Sequence, residues 1–261
     1  MIFTKKSLGQ NFLIDKNVIK KIINLTEIKN KNIIEIGPGK GALTEEILKK
    51  KQKFLKIIEK DNQLYEFLKK KYFKNKIIKI FNKDILTFNL EEAVEKNSII
   101  FGNLPYNISS QILVKIIKFK KSPPRFSNII FMFQKELGEK IISQFPSSNY
   151  GRLSILTNYK LEIIEKFLIS PNCFFPKPKI NSMIIHFKPK SNNQQKIKKI
   201  ENLEKITNIL FSNKRKMINK SLKKILTDRE IKKIANLKDT LRPSEIKPDI
   251  YYEITELIEK D

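Results

Sequence analysis

The chain has 261 residues with a single cysteine, Cys173, which excludes an intramolecular disulfide and any metal site built from several thiolates. The first residues lack the apolar segment of a signal peptide, and no apolar run approaches the roughly 20 residues of a membrane span, so we expect a cytoplasmic protein without membrane contact. A formal net charge of +26 favours a polyanionic partner such as nucleic acid, although a skewed genomic base composition would also enrich lysine throughout the chain.

Short apolar runs alternate with helical patterns through the first two-thirds of the chain. The runs that suit strands are 32–36, 54–58, 77–81, 98–101 and 128–133, with 167–169 and 183–187 as later candidates at one edge. The segments that suit helices are 17–26, 41–51, 61–72, 109–118 and 135–143. This alternation predicts an α/β fold with a mostly parallel sheet, which binds ligands at the carboxyl ends of its strands.

The hydrophobic pattern changes after Phe187. Residues 188–196 are polar and lack a hydrophobic period, which is typical of a linker, and the residues beyond them show only helical patterns. We therefore predict a catalytic α/β domain over 1–188 and a small all-α domain over 189–261.

Three glycines follow the first predicted strand and open a helix. Gly37, Gly39 and Gly41 let the backbone turn sharply and approach a ligand without a Cβ in the way. Their G-x-G-x-G spacing differs from the G-x-G-x-x-G of dinucleotide-binding proteins, and alone it is equally consistent with an ordinary turn.

Two carboxylates follow the next two predicted strands at the same edge of the sheet. Glu59 is suited to accept both hydrogen bonds of a ribose diol, and Asp84 is suited to an adenine amine. Either residue alone is consistent with a solvated strand end. Together with the glycine turn they favour a nucleoside-containing cofactor, without choosing between NAD and S-adenosylmethionine.

The motif Asn103-Leu104-Pro105-Tyr106 ends the fourth predicted strand and indicates methylation of an amine. The amine of adenine is a poor nucleophile because its lone pair is delocalised into the ring. Two acceptors, the Asn103 side-chain oxygen and a carbonyl such as that of Leu104, can hold both N–H groups and direct the lone pair toward a methyl donor. Tyr106 would stack on the base. The alternative is an Asn-initiated turn with a buried tyrosine.

An aromatic and basic loop over 172–179 offers a second stacking group. Either Phe174 or Phe175 could contact the other face of the base, although plain packing at a sheet edge is nearly as consistent with the sequence. We interpret Cys173 and His186 as structural residues.

Together these motifs resemble the small-subunit (16S) ribosomal RNA adenine N6,N6-dimethyltransferase family over essentially the whole chain. The matching segments are 8–13, 36–41, 101–109, 134–136, 150–154, 174–179 and 213–218. The resemblance implies a class I S-adenosylmethionine-dependent methyltransferase with a Rossmann-like sheet. The implied reaction forms N6,N6-dimethyladenosine at two adjacent adenosines in the 3′-terminal hairpin of 16S rRNA, within the small ribosomal subunit or its precursor. We expect a monomer without a metal site.

The resemblance also implies roles for single residues. It assigns the cofactor to Asn11, Leu13, Gly37, Glu59, Asp84 and Asn103, and the target base to Asn103, Leu104, Tyr106 and Phe174. The roles of Asn11 and Leu13 rest on the resemblance alone. The sequence departs from the usual family pattern at 110–111 and 136–140, and neither departure touches the Asn103 motif.

The predicted C-terminal domain carries six basic residues and no acidic residue between Lys214 and Lys224. On one helix, the apolar side chains of this segment would lie opposite a basic stripe formed by Lys216, Lys220, Lys223 and Lys224. Such a stripe suits RNA phosphates, although a solvated lysine face is equally consistent.

Three alternative functions remain at this point. Large-subunit methyltransferases of the antibiotic-resistance type share the motif but commonly carry Asn-Ile-Pro-Tyr. DNA adenine methyltransferases usually place Asp or Asn before Pro-Pro-Tyr and have a target-recognition insert. A ribosome-assembly factor that has lost catalysis would not be expected to keep both motifs intact.

Overall fold

The protein is described from a computed structural model that covers residues 10–190 and 196–260. Within these ranges the chain forms two compact units, one of residues 10–138 with 162–189 and the other of 139–161 with 190 and 196–260. The domains predicted from the sequence, 1–188 and 189–261, remain a prediction, and they differ from these units in the assignment of 139–161. Most of the predicted linker, and Leu8 and Gly9 of the first matching segment, lie outside the described residues.

Nine strands are present among the described residues. They are β1 (Phe12–Leu13), β2 (Asn32–Ile36), β3 (Phe54–Glu59), β4 (Ile78–Asn82), β5 (Ser98–Asn103), β6 (Phe126–Gln134), β7 (Leu161–Ile169), β8 (Phe174–Phe175) and β9 (Ser182–Pro189). Seven of them form a sheet of order β4-β3-β2-β5-β6-β9-β7, and β1 pairs with β8 in a separate antiparallel ladder. All seven predicted strand positions are confirmed, whereas the two-residue strands β1 and β8 were not predicted.

Six helices follow the first strands in alternation. They are α1 (Lys16–Ile23), α2 (Ala42–Leu48), α3 (Asn62–Lys71), α4 (Leu90–Ala93), α5 (Ser109–Ile117) and α6 (Lys135–Ile142). The carboxylates of Asp15 and Asp61 accept hydrogen bonds from backbone N–H groups in the first turns of α1 and α3, which explains where these helices begin. The five predicted helices are confirmed, and α4 is additional.

The order of the parallel strands reverses at β2. Strands β3 and β4 lie on one side of β2, and β5 and β6 lie on the other, while β9 is antiparallel to β6. Ligands bind beyond the carboxyl ends of such strands at the reversal. Gly37, which follows β2, and Asn103, which ends β5, both lie at this point.

The central strands are buried on both faces, which explains why they appear in the sequence as continuous apolar runs. Ile33, Ile57 and Ile99, on three adjacent strands, are each at most 1% exposed and belong to one hydrophobic cluster. The predicted α/β fold, with a mostly parallel Rossmann-like sheet, is therefore confirmed.

The second unit is helical, apart from the first residue of β7, in the part of the chain that the structure describes. Its helices after α6 are α7 (Arg152–Lys160), α8 (Ile200–Phe211), α9 (Asn219–Leu222), α10 (Asp228–Ile231) and α11 (Pro248–Ile258). Two buried tyrosine hydroxyls form hydrogen bonds between segments of this unit. Tyr150 donates to the carbonyl of Ile246 at 3.0 Å, and Tyr251 donates to that of Pro243 at 2.6 Å.

The prediction that the four lysines lie on one continuous helix is wrong. Helix α9 has only one turn, and it does not extend back to Lys216, because the N–H groups of Ile218 and Asn219 donate to the carbonyls of Leu241 and Asp239 instead of continuing an i→i−4 ladder. Ile218 is nevertheless buried, and the predicted basic side chains are exposed: Lys216, Lys220, Lys223 and Lys224. The lysines therefore lie on turns and a short helix.

Candidate active site

A cavity of about 290 Å³ lies at the carboxyl ends of β2, β3 and β5. It is lined by the segment 10–14, the glycine turn, the end of β3, and residues 83–86 and 103–108. Most of the predicted site residues line it: Asn11, Leu13, Gly37, Glu59, Asp84, Asn103, Leu104 and Tyr106. One cavity thus holds the residues predicted for the cofactor and those predicted for the base.

The glycine turn after β2 forms one wall of the cavity. Gly37 has a φ of 65° and Gly39 a φ of 59°, in the left-handed region that favours glycine. A Cβ on Gly39 would lie 2.8 Å from the ring of Phe12, so no larger residue fits against this ring. The turn therefore brings bare backbone to the cavity, as approach of a ligand requires.

Glu59 ends β3 with its carboxyl group 7% exposed. One oxygen accepts from the N–H of Asp61 at 2.8 Å and the other from that of Gly39 at 3.4 Å. Burial raises the pKa of Glu59 from 4.5 to about 7, because the charged form loses hydration. The hydroxyls of a ribose diol would supply the donors that an ionised carboxylate needs here.

Asp84 is held at the cavity by a lysine that the sequence did not reveal. Lys60 Nζ lies 2.7 Å from Asp84 Oδ2, and the N–H of Leu86 donates to Asp84 Oδ1 at 2.9 Å. The hydrogen bond from Lys60 lowers the pKa of Asp84, so the carboxylate is ionised at neutral pH. Lys60 also lines the cavity, and its only sequence signal is its position directly after Glu59.

The side chain of Asn103 has a defined orientation. Its Nδ2 donates to the main-chain carbonyl of Asn11 at 3.1 Å, which connects the end of β5 to the segment before β1. This bond uses one of the two N–H groups of the amide, and Oδ1 is the acceptor atom of the same side chain. An acceptor at this point is what a donor amine requires.

Tyr106 is fixed by a residue outside the motif. Its hydroxyl lies 2.7 Å from the Oγ of Ser182, which is fully buried at the start of β9. Burial also raises the pKa of Tyr106, so the phenol stays neutral. Leu104 also lines the cavity, although the residue is only 1% exposed and its side chain lies against Gly102.

Phe174, the residue that the resemblance assigns to the second face of the base, does not line the cavity, and neither does Phe175. Its ring is 3% exposed and belongs to the hydrophobic cluster that also contains Leu13, its partner in the β1–β8 ladder. A ring so covered offers no face to a base in this conformation. Its stacking role therefore stays a prediction, whereas Phe175 beside it is 63% exposed.

A second buried carboxyl group, that of Glu35 on β2, lies just before the glycine turn in the chain, and Glu35 also lines the cavity. Thr44 Oγ1 donates to its Oε2 at 2.6 Å, which ties α2 to the end of β2. Burial raises the pKa of Glu35 from 4.5 to about 7. The group therefore stabilises the folded state most at low pH, and this stabilisation is lost as the pH rises toward 7.

We expect Glu35→Gln to be more stable than the wild type above pH 7, by about 1–3 kcal/mol, because glutamine keeps the acceptor for Thr44 and carries no charge. The difference should vanish near pH 4.5, where the native carboxyl is protonated. Thermal unfolding of both proteins at pH 5 and pH 8 measures it. Equal stability at pH 8 would contradict the raised pKa of the buried Glu35.

Across residues 10–190 and 196–260, no group of three or more His, Cys, Asp or Glu side chains could hold a metal ion. In the same ranges, no helix has the length and apolar character needed to cross a membrane.

Comparison with known sequences places the chain among enzymes that modify RNA. The profile of the ribosomal RNA adenine dimethylase family matches residues 2–260. The chain is 46% identical to the ribosomal RNA small subunit methyltransferase A of Pelagibacter ubique, over 96% of this chain and 95% of that protein. It is 39% identical to the enzyme of the same name from Mycoplasmopsis synoviae, over 93% and 92%.

Solved structures show the same fold. A dimethyladenosine transferase from Plasmodium falciparum aligns with a TM-score of 0.76 and 22% identity, covering 95% of this chain and 98% of that one. The 23S rRNA methyltransferase ErmE aligns with a TM-score of 0.67 and 22% identity, covering 95% and 100%. The family profile matches nearly the whole chain, and the bacterial relatives align with it along most of their length. The chain therefore belongs to the ribosomal RNA adenine dimethylase family and is an S-adenosylmethionine-dependent methyltransferase.

Proposed function

We propose that the protein transfers methyl groups to N6 of two adjacent adenosines in the 3′-terminal hairpin of 16S rRNA, forming N6,N6-dimethyladenosine during maturation of the small subunit. The observation that carries the proposal is the position of Asn103, whose amide is held by the Asn11 carbonyl and which lines the same cavity as Gly37 and Glu59. The names of the bacterial relatives support the choice of the small subunit.

The residues of the cavity fit S-adenosylmethionine, which supplies a methyl group on a sulfonium centre. Gly37 and Gly39 bring backbone without a Cβ to the wall, and we assign the ribose diol to the buried Glu59 carboxylate. We assign the adenine amine to Asp84, which is paired with Lys60. The remaining assigned contacts come from the N-terminal segment and from β5: Asn11, Leu13 and Asn103.

The base is activated by positioning. Asn103 Oδ1 and the Leu104 carbonyl accept the two N–H groups of the target amine, which localises its lone pair. Tyr106, anchored by Ser182, stacks on the ring, and Phe174 is the proposed residue for its other face. No strong general base is required, because the ammonium group formed by the attack is acidic and releases its proton after transfer.

We propose that Lys216, Lys220, Lys223 and Lys224 contact RNA phosphates. Replacing the four with glutamine should weaken RNA binding and reduce the slope of log affinity against log salt, by about 0.7–0.9 per lost phosphate contact. Lys223 lies 3.2 Å from Asp228, so its single replacement should have the smallest effect. Filter binding between 50 and 300 mM salt measures the slope, and an unchanged slope would show that the lysines are only solvated surface.

We further propose that the enzyme acts as a monomer in the cytoplasm. The cavity supports a monomer because residues of one chain line it from the glycine turn to Tyr106. The single cysteine is compatible with a reducing compartment.

Labelled S-adenosylmethionine tests the choice of substrate. Small subunits that lack dimethyladenosine, free 16S rRNA and large-subunit RNA are offered in parallel. We expect label only in small-subunit RNA, and label confined to large-subunit RNA would support a function of the antibiotic-resistance type instead.

A further inference from the structure

The β1–β8 ladder divides its four side chains between two faces. Phe12 is opposite Phe175, and Leu13 is opposite Phe174. Side chains alternate along a strand, and directly opposed residues share a face. Leu13 and Phe174 pack in the hydrophobic core, so Phe12 and Phe175 share the other face.

That other face includes one ring of the cavity wall. The ring of Phe12 lines the cavity and would meet a Cβ placed on Gly39 in the glycine turn. Leu13 lines the cavity as well, whereas Phe175 does not. Phe12 is 8% exposed, whereas Phe175 is 63% exposed. The ladder therefore presents one uncovered aromatic ring opposite Phe12, outside the cavity lining, and that ring belongs to Phe175.

Positively charged side chains follow the Phe175 ring along the chain. Phe175, Lys177 and Lys179 are exposed at alternate positions, and Pro176 and Pro178 between them restrict the backbone. Lys40 Nζ lies 5.1 Å from the centre of the Phe12 ring. An open aromatic ring next to a row of positive charges is suited to a base and its neighbouring phosphates in single-stranded RNA.

We propose that Phe175 stacks on a nucleotide base of the RNA next to the target adenosine, while Lys177 and Lys179 contact the adjoining phosphates. The identity of the ligand as RNA rests on the proposed function. The role of Phe175 as a stacking platform rests on its exposure and on the face of the ladder that it occupies.

Fluorescence tests the stacking directly, because the chain contains no tryptophan. Phe175→Trp introduces a single tryptophan, which can be excited selectively over the seven tyrosines, and a stacked base should quench its emission. The probe is a short RNA hairpin with two adjacent adenosines in its loop. Phe73→Trp is the matched control, since Phe73 is 81% exposed and is not part of the β1–β8 ladder. We expect saturable quenching for the first variant and none for the second.

Kinetics supply a second readout. Phe175→Ala should raise the KM for RNA about tenfold with kcat within about twofold, and Phe175→Tyr should restore KM. An unquenched Phe175→Trp together with a wild-type KM in Phe175→Ala would overturn the proposal. Wild-type methyl transfer to the same RNA is measured in parallel: quenching without transfer would reject the proposed function alone, whereas transfer without quenching or a KM change would reject the role of Phe175 alone.

Discussion

Asn103→Ala should lower kcat for methyl transfer by at least about 10²–10³-fold, because it removes the acceptor that positions the target amine. The same change removes the hydrogen bond from Nδ2 to the Asn11 carbonyl, so affinity for S-adenosylmethionine should also fall, by a smaller factor. RNA affinity should stay near the wild-type value, since the exposed lysines are unchanged. Single-turnover transfer and RNA binding are measured on the same preparation.

The matched control for this variant is Asn208→Ala, at an exposed position of α8 in the second unit. It should transfer methyl groups at the wild-type rate. Undiminished turnover in Asn103→Ala would remove the basis of the proposed activation, whatever the substrate proves to be.

Cofactor binding should depend on pH through Glu59. Its pKa of about 7 in the free protein means that the carboxyl is protonated below neutrality, while the ionised form accepts the stronger hydrogen bonds from a diol. The Kd for S-adenosylmethionine should therefore rise as the pH falls from 8 to 6, by at most about tenfold per unit for one proton. Calorimetric titration at several pH values measures this dependence.

Glu59→Gln should bind S-adenosylmethionine about 10- to 100-fold more weakly at pH 8, by loss of charge-assisted hydrogen bonds, and its Kd should no longer change with pH. Glu35→Gln is the control, because Glu35 has a similar raised pKa but is bound to Thr44. That variant should keep the pH dependence. If the Kd still depended on pH in Glu59→Gln and no longer did so in Glu35→Gln, the titrating group would be Glu35, and the prediction for Glu59 would be wrong.

The sheet and most of the cavity lining were predictable from the sequence because their signals are local. The buried strands are continuous apolar runs, and parallel strands direct their carboxyl ends to one edge, so Gly37, Glu59 and Asn103 could be placed near one another without coordinates. Asn11 and Leu13 carried no such signal, and only the resemblance to a family pointed to them.

Long-range contacts could not be predicted. Ser182 lies 76 residues from Tyr106, and the Asn103–Asn11 hydrogen bond spans 92 residues, so neither leaves a local pattern. The β1–β8 ladder has only two residues in each strand, and its pairing decides which phenylalanine is covered. The alternation of apolar and basic side chains around Leu222 was visible, but the contacts that interrupt the helix come from Asp239 and Leu241.

Analysis of the methylated nucleosides most directly tests the central claim. Small subunits that lack dimethyladenosine are incubated with the protein and S-adenosylmethionine, and the RNA is digested and its modified positions are mapped. The proposed function predicts N6,N6-dimethyladenosine at two adjacent positions of the 3′-terminal hairpin with the wild type, and none with Asn103→Ala. Methylation at a carbon atom or a ribose, or dimethyladenosine formed equally by Asn103→Ala, would contradict it.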